Sequence, residues 1–203
     1  MIEPYRKHRE QNIDKNECEN SLIEYNNRYI RTFKSIVGAR FKSGILDLGC
    51  GTDHFSKACR LQGYEAEGID TDKCNLETDP LLYEQETFNV ITMLAVIEHL
   101  KNPHNAMSEI HRILKPSGIL ILRTPNWQMD FKNFYNDPTH VKPYTPSGLK
   151  TMLEMYGFRT IFLEPGLICK SKLYWRLPSF MKWQIAKLTR GGSKSILAIG
   201  EKI

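Results

Sequence analysis

The chain has 203 residues, enough for one ordinary domain with a full hydrophobic core. Hydrophobic residues make up 41% and charged residues 25%, which excludes wholesale disorder and fits a soluble globular protein. The formal net charge is +5, but the residues from Gly166 onward carry +7 and the preceding 165 carry −2, so the cationic character belongs to the C-terminal tail.

No apolar run approaches the length of a bilayer span, and the richest, Val90 to Ile97, is of strand length. The opening Met-Ile-Glu-Pro-Tyr-Arg-Lys-His-Arg-Glu has no apolar stretch after its charges, so no secretory signal is expected. Cys18, Cys50, Cys59, Cys74 and Cys169 are odd in number and form no C-x-x-C pair. That argues against a disulfide framework or a zinc site and predicts a cytoplasmic protein.

Residues 1–43 are polar and Tyr-rich. Leu22, Ile23, Tyr29, Ile30, Phe33, Ile36 and Val37 recur at three- and four-residue steps, which predicts one or two amphipathic helices packing on a core, ended by Gly38. From Gly44 the pattern changes. Ile45–Leu48 reads as a short buried strand, followed by a helix from about His54 to Gln62 that Gly63 stops. Tyr64–Ile69, Phe88–Leu94 and Ile119–Arg123 read as further strands. A helix from Pro103 to Leu114 precedes the last of these, and Pro116-Ser117-Gly118 reads as a turn. Pro146–Tyr156 reads as a helix with Thr145 as N-cap, and Phe158–Leu163 and Ser195–Lys202 as two final strands. Alternating strands and helices with short connections predict an α/β, doubly wound sheet over residues 44–203, with a basic, aromatic-rich insertion at about 166–194.

The strand ending at Leu48 runs into Gly49-Cys50-Gly51 and then a helix. Such a loop lets a ligand approach the main chain, with the helix's free N–H groups aimed at the same place. Asp70 ends the second strand 19 residues after Gly51, where a carboxylate can accept hydrogen bonds from both ribose hydroxyls of an adenosine cofactor. A dinucleotide fingerprint would place Gly or Ala at position 54, which is His54. Asp47, just upstream of the loop, suits an ammonium. Adenosylmethionine carries an ammonium and no pyrophosphate.

Ile45-Leu46-Asp47-Leu48-Gly49-Cys50-Gly51-Thr52 resembles the first motif of class I S-adenosylmethionine-dependent methyltransferases, and Glu67-Gly68-Ile69-Asp70 their acidic second motif. Phe88 through Leu100 resembles their fourth-strand segment. Leu114-Lys115-Pro116-Ser117-Gly118-Ile119-Leu120 with Thr124-Pro125-Asn126 resembles the turn into their fifth strand. The resemblance, to the small-molecule/glycan type and the ubiquinone-biosynthesis-like group, covers about residues 44 to 164. It implies a Rossmann-like, seven-stranded sheet, mostly parallel with an antiparallel last strand. It also implies cofactor contacts at Asp47, Gly49, Cys50, Gly51, Asp70, Thr71, Asn75, Leu76, Leu94, Ala95 and Glu98. Asn75-Leu76 stands where the family has Asp-Leu at the adenine, and Asn89 where it usually has Asp. Only 17 residues separate Asp70 from Phe88, which implies a reduced third strand and a more open adenine pocket.

Methyl transfer from a sulfonium needs position and a dry site, and a base only where the nucleophile must lose a proton. His99 follows Glu98 past the fourth-strand segment and can orient substrate or act as base. Asp137-Pro138-Thr139-His140 resembles a loop over the substrate side of methyltransferases acting on sugars and small polar acceptors, where Asp137 and His140 can form an orienter and a base. Either histidine can equally serve a local hydrogen bond. Trp127, Phe131, Phe134 and Tyr135 can wall a substrate pocket or form a satellite core. His104 and His111 share a helix face with no third ligand evident, so no metal is expected.

The expected activity is methyl transfer to a hydroxyl of a small molecule or glycan precursor, with S-adenosylhomocysteine as product. A catalytically inactive, methyltransferase-like binding or assembly domain is the alternative, and a nicotinamide-dependent oxidoreductase a third reading. The basic segment around Lys170, Lys172, Trp175 and Arg176 can grip an acidic or lipid-linked substrate, while the slightly acidic remainder argues against nucleic acid. The acceptor's identity and the oligomeric state are open.

Overall fold

The structure, a computed structural model, describes residues 17–70, 72–165 and 194–203. The described part of the N-terminal segment forms an α-helix, α1 (Glu17–Val37), followed by a 3-10 turn at Gly38–Arg40. Its buried Tyr29, Ile30, Phe33 and Val37 pack with Phe41 against Phe55, Ala58 and Cys59 of α2 (His54–Leu61) and against one sheet face. The edge-to-face and tilted stacking of Phe33 on Phe41 and Phe55 ties the helix to the domain.

The sheet contains β1 (Ile45–Leu48), β2 (Ala66–Ile69), β3 (Phe88–Leu94), β4 (Leu114–Pro125), β5 (Phe158–Pro165) and β6 (Ser195–Lys202), in the spatial order β2-β1-β3-β4-β6-β5. β1 to β4 pair in parallel, whereas β6 runs antiparallel to both β4 and β5. The central strands are apolar on both faces because both faces are covered. Leu46, Leu48, Ile91, Met93, Leu120 and Leu122 meet α3 (His104–Ile113) and α5 (Pro146–Met155), and Ile45, Val90, Ile119 and Ile121 meet α1 and α2.

Six strands among the described residues replace the expected seven. Residues 72–87 contain no strand, because this stretch is short, polar and broken by Pro80; only Cys74, Leu76 and Leu81 of it are buried. The doubly wound class and the antiparallel β6 are as expected.

β4 begins five residues earlier than the apolar run predicts. The Pro116-Ser117-Gly118 turn is a bulge inside it: Phe88 faces Leu114 while Val90 faces Ile119, and Ser117 takes φ 59° to absorb the extra residues. A further helix, α4 (Trp127–Phe134), escapes the sequence reading. Asn126 caps it by accepting from the Gln128 N–H at 3.2 Å. The predicted cap of α5 is present, with Thr145 Oγ1 accepting from the Gly148 N–H at 3.1 Å. No helix among the described residues is long and apolar enough to cross a membrane.

Candidate active site

The strand order places β2 on one side of β1 and β3 on the other. The loops leaving β1 and β3 therefore diverge, and a crevice opens at their carboxyl ends. It is lined by Gly49, Ile69, Asp70, Cys74, Asn75, Leu76, Glu77, Ala95, Val96, His99 and Leu100. Its empty volume is about 570 Å³ with the open mouth and the solvent space above it included.

The glycine loop forms one wall. Gly49 takes φ 75° and Gly51 φ 56°, both in the left-handed region. The Gly49 and Cys50 N–H groups donate to the Ile69 carbonyl at 2.7 and 3.1 Å, which pins the loop to the end of β2. Val96 leaves no room for a side chain at Gly49, since an added Cβ would lie 2.4 Å from its Cγ2. A Cβ at Gly51 would meet nothing within 4 Å, so the space above that residue is open. Gly68 is a requirement that the motif reading missed. A Cβ there would lie 2.5 Å from Asp53 Oδ1 and 2.7 Å from Cys50 Sγ. Asp53, at φ 62°, gives α2 no side-chain cap and instead meets Arg60 at 2.6 Å, so the helix's first N–H groups stay available.

Asp47 lies at the end of β1, 4% exposed. Thr92 Oγ1 on β3 donates to Asp47 Oδ1 at 2.6 Å, and no cation pairs with it among the described residues. Burial pushes its pKa up to about 7; Thr92 opposes the rise, and the charges of Asp53 and Asp70 add to it. Asp70 is buried at the end of β2 and lines the crevice. Asn75 and Leu76 line it further out, but the Asn75 side chain is turned back, its Oδ1 accepting from the Glu77 N–H at 3.1 Å. Ala95 contributes backbone in the left-handed region at φ 59°. Leu94 is half-buried against the α1-side core. Thr71 and the basic, aromatic-rich segment lie outside the described residues.

Beyond β3 a single 3-10 turn, Ile97–His99, carries Glu98 and His99. The Glu98 carbonyl accepts from the N–H groups of Val141 and Lys142 at 2.9 and 3.1 Å, which stitches the turn to the loop holding His140. The two imidazoles lie 4.8 Å apart, centroid to centroid. His99 Nδ1 sits 3.1 Å from the Thr139 carbonyl, and His140 Nδ1 sits 2.7 Å from the Phe134 carbonyl. A ring nitrogen facing a carbonyl carries the proton, so each Nε2 presents a lone pair. Asp137 acts on His99 through Thr139: Thr139 Oγ1 donates to Asp137 Oδ1 at 2.6 Å and accepts from His99 Nδ1 at 2.9 Å. Asp137 Oδ2 is 3.8 Å from His140 Nε2, too far for a hydrogen bond. Burial lowers the His99 pKa, and the Thr139 carbonyl partly offsets this.

Glu98 is 1% exposed, and burial raises its pKa. Thr124 opposes the rise, and neither carboxyl oxygen of Glu98 has a hydrogen-bond partner among the described residues. One donor atom each from Glu98, His99 and His140 lies within 4.8 Å of the others, a grouping from which a cation can be held, and which no local spacing in the sequence reveals. Next to it, Phe134 is buried, with its ring centroid 4.7 Å from that of His140, whereas Phe131 and Tyr135 are exposed. The α4 aromatics thus divide between a satellite core and an apolar rim.

The pattern of the methyltransferase domain family matches residues 22–162. Ubiquinone biosynthesis O-methyltransferase of Rickettsia prowazekii is 30% identical over 122 residues, 51% of this chain and 47% of that protein. The protein of the same name from Pseudomonas aeruginosa (strain PAO1) is 30% identical over 102 residues, 40% of this chain and 44% of that protein. The alignments thus span less than half the length of these relatives. A SAM-dependent methyltransferase from Archaeoglobus fulgidus superposes with TM-score 0.62 at 25% identity, covering 87% of this chain and 92% of that one. An S-adenosylmethionine-dependent methyltransferase from Mesorhizobium loti, 13% identical, shares the fold at TM-score 0.55 over 84% and 96% of the two chains. The chain belongs to the methyltransferase domain family and is a class I S-adenosylmethionine-dependent methyltransferase domain.

The residues present fit that cofactor. A buried carboxyl without a cation, Asp47, suits the ammonium of the amino-acid end. The uncapped N-terminus of α2 suits its carboxylate, and the crevice beyond Asp70 suits a nucleoside.

Proposed function

We propose that this protein methylates a hydroxyl group of a small molecule or glycan precursor. The observation that carries the reading is the imidazole pair: His99 lines the crevice with its Nδ1 proton committed to Thr139, leaving Nε2 as a base. The names of the ubiquinone O-methyltransferase relatives support the same acceptor chemistry.

S-adenosylmethionine supplies an electrophilic methyl group on a sulfonium. Asp47 and the Gly49–Gly51 loop hold its amino-acid end, Asp70 the ribose hydroxyls, and the Asn75–Leu76 segment the adenine. Ala95 and Glu98, on the loop after β3, border the transfer position. His99 Nε2 accepts the hydroxyl proton, and Thr139 and Asp137 stabilise the resulting imidazolium at Nδ1. His140 fixes the far side of the pair. Val96 and Leu100 supply apolar crevice lining.

The test is a panel of catechols, phenols and sugars incubated with labelled S-adenosylmethionine. Product methylated on oxygen, lost in His99→Gln with S-adenosylhomocysteine affinity kept, is the expected result. Transfer to nitrogen or carbon alone, or full activity of the variant, would overturn the reading.

A further inference from the structure

The crevice wall beyond Asp70 has no strand to hold it. Its inner part is a single turn closed on itself. The Thr78 and Asp79 N–H groups donate to the Asn75 carbonyl at 3.0 and 2.8 Å, and Asp79 Oδ2 accepts from the Asn75 N–H at 2.8 Å. One face of α3 fixes this turn to the domain, beside the Asn102 N–H just before the helix, which donates to Glu77 Oε1 at 2.8 Å. Asn105 Nδ2 donates to the Leu76 carbonyl at 3.1 Å and to the Asp79 carbonyl at 2.8 Å. Four residues on, Glu109 Oε2 accepts from the Leu81 N–H at 2.8 Å. Three further on, Arg112 donates to the Leu81 and Tyr83 carbonyls, both at 2.8 Å.

This spacing aligns the three side chains along the helix. All three act on main-chain groups, so they hold the path of the wall whatever side chains the wall carries. Arg112 and Glu109 brace each other through two contacts of 2.9 and 2.7 Å, and the guanidinium holds the Glu109 carboxyl below the usual range. Leu76 and Leu81, 6% and 3% exposed, belong to the same buried cluster as Ala106 and Ile110 of α3. The surface so held presents Leu76 beside Val96 and Leu100, with Asn75 and Glu77 at its margin. That is an apolar plane with a polar edge, which suits a purine.

We propose that Asn105, Glu109 and Arg112 are positioning residues of the adenosine subsite. They do the work of the missing strand by holding the Asn75–Glu77 wall in its binding position. Pre-organisation of this kind lowers the ordering cost of binding. The proposal rests on the adenine lying against residues 75–77.

The test measures, for the full chain, calorimetric affinity for S-adenosylhomocysteine and for 5′-methylthioadenosine, which lacks the amino-acid end. Arg112→Ala and Asn105→Ala are expected to weaken both ligands by the same factor, about tenfold, well below their melting temperatures. Asp47→Asn is the opposite case and weakens S-adenosylhomocysteine alone. Amide exchange at residues 75–83 should quicken in the α3 variants and nowhere else. Wild-type affinity for both ligands in both variants would overturn the proposal, as would a loss confined to S-adenosylhomocysteine. Should Arg112→Ala fail to fold, Asn105→Ala, which leaves the Glu109–Arg112 pair intact, decides alone. A wild type that binds neither ligand would remove the subsite and the cofactor assignment together; one that binds both while the variants are unaffected would remove only the subsite's support by α3.

Discussion

Thr92 on β3 donates a hydrogen bond to Asp47 on β1, Oγ1 to Oδ1, at 2.6 Å across two parallel strands. It gives a buried carboxyl one neutral partner and leaves the rest of its hydrogen-bonding capacity for a ligand.

Burial raises the Asp47 pKa from 3.8 to about 7, and two consequences can be measured. The folded state holds a proton there that the unfolded state releases near its ordinary pKa. The stabilisation linked to that proton is complete below about pH 4 and is lost as pH rises towards 7. The pH dependence of the melting temperature of the free protein should flatten over this window in Asp47→Asn. A ligand ammonium favours the carboxylate, so S-adenosylhomocysteine binding near pH 7 should release a proton. Binding heats in buffers of different ionisation enthalpy measure it, and heats independent of buffer would exclude an ammonium partner for Asp47.

Asp70→Ala should weaken S-adenosylhomocysteine by about 1–3 kcal/mol, the usual cost of leaving buried polar groups unpaired. Unchanged affinity by titration calorimetry would remove Asp70 from the ribose.

His99→Gln should lower kcat towards a hydroxyl acceptor by about a hundredfold or more, the range of general-base catalysis. His140→Gln should cost less, since His99 and not His140 lines the crevice. Because burial lowers the His99 pKa, its basic form persists below pH 6.5, and the acid limb of the kcat/KM profile should lie there. Equal kcat in both variants and the wild type would mean that the acceptor needs no base from this pair.

The two loop glycines should fail differently. Gly49→Ala meets Val96 at 2.4 Å in a left-handed conformation and should destabilise the fold by about 2–4 kcal/mol in chemical denaturation. Gly51→Ala meets nothing within 4 Å and should cost about 1–2 kcal/mol, yet weaken S-adenosylhomocysteine by filling the space above the loop. Wild-type affinity in Gly51→Ala would place the ligand elsewhere.

The strands that the sequence reading bounds correctly are Ile45–Leu48, Phe88–Leu94 and Ser195–Lys202. The first two are continuous apolar runs of the kind a doubly covered sheet demands, each ended by a change of composition. β4 defeats the same reasoning. Pro116-Ser117-Gly118 is turn chemistry locally, and only the pairing of Leu114 with Phe88 reveals a bulge. α4 carries little helical period because Phe134 is its only fully covered residue, with Phe131 and Met129 facing water. At the site, the glycine loop and Asp70 follow from spacing. The His99–His140 contact joins residues 41 apart, and the Thr139 relay depends on how one loop folds over another. No local pattern encodes either. The α3 clamp is hidden for a further reason: it binds backbone atoms, which no sequence motif names.

The antiparallel pairing of β5 with β6 sets Pro165 opposite Ile196. Residues 166–194 run in the sequence between those paired ends, which lie beside Pro125 at the carboxyl end of β4. Residues 166–194 carry seven cationic side chains and no acidic one, so the rest of the chain alone has a formal charge of −2 against +5 for the whole. The positive charge of this chain therefore resides in the stretch between β5 and β6, and the sheet and its crevice lie in an acidic remainder.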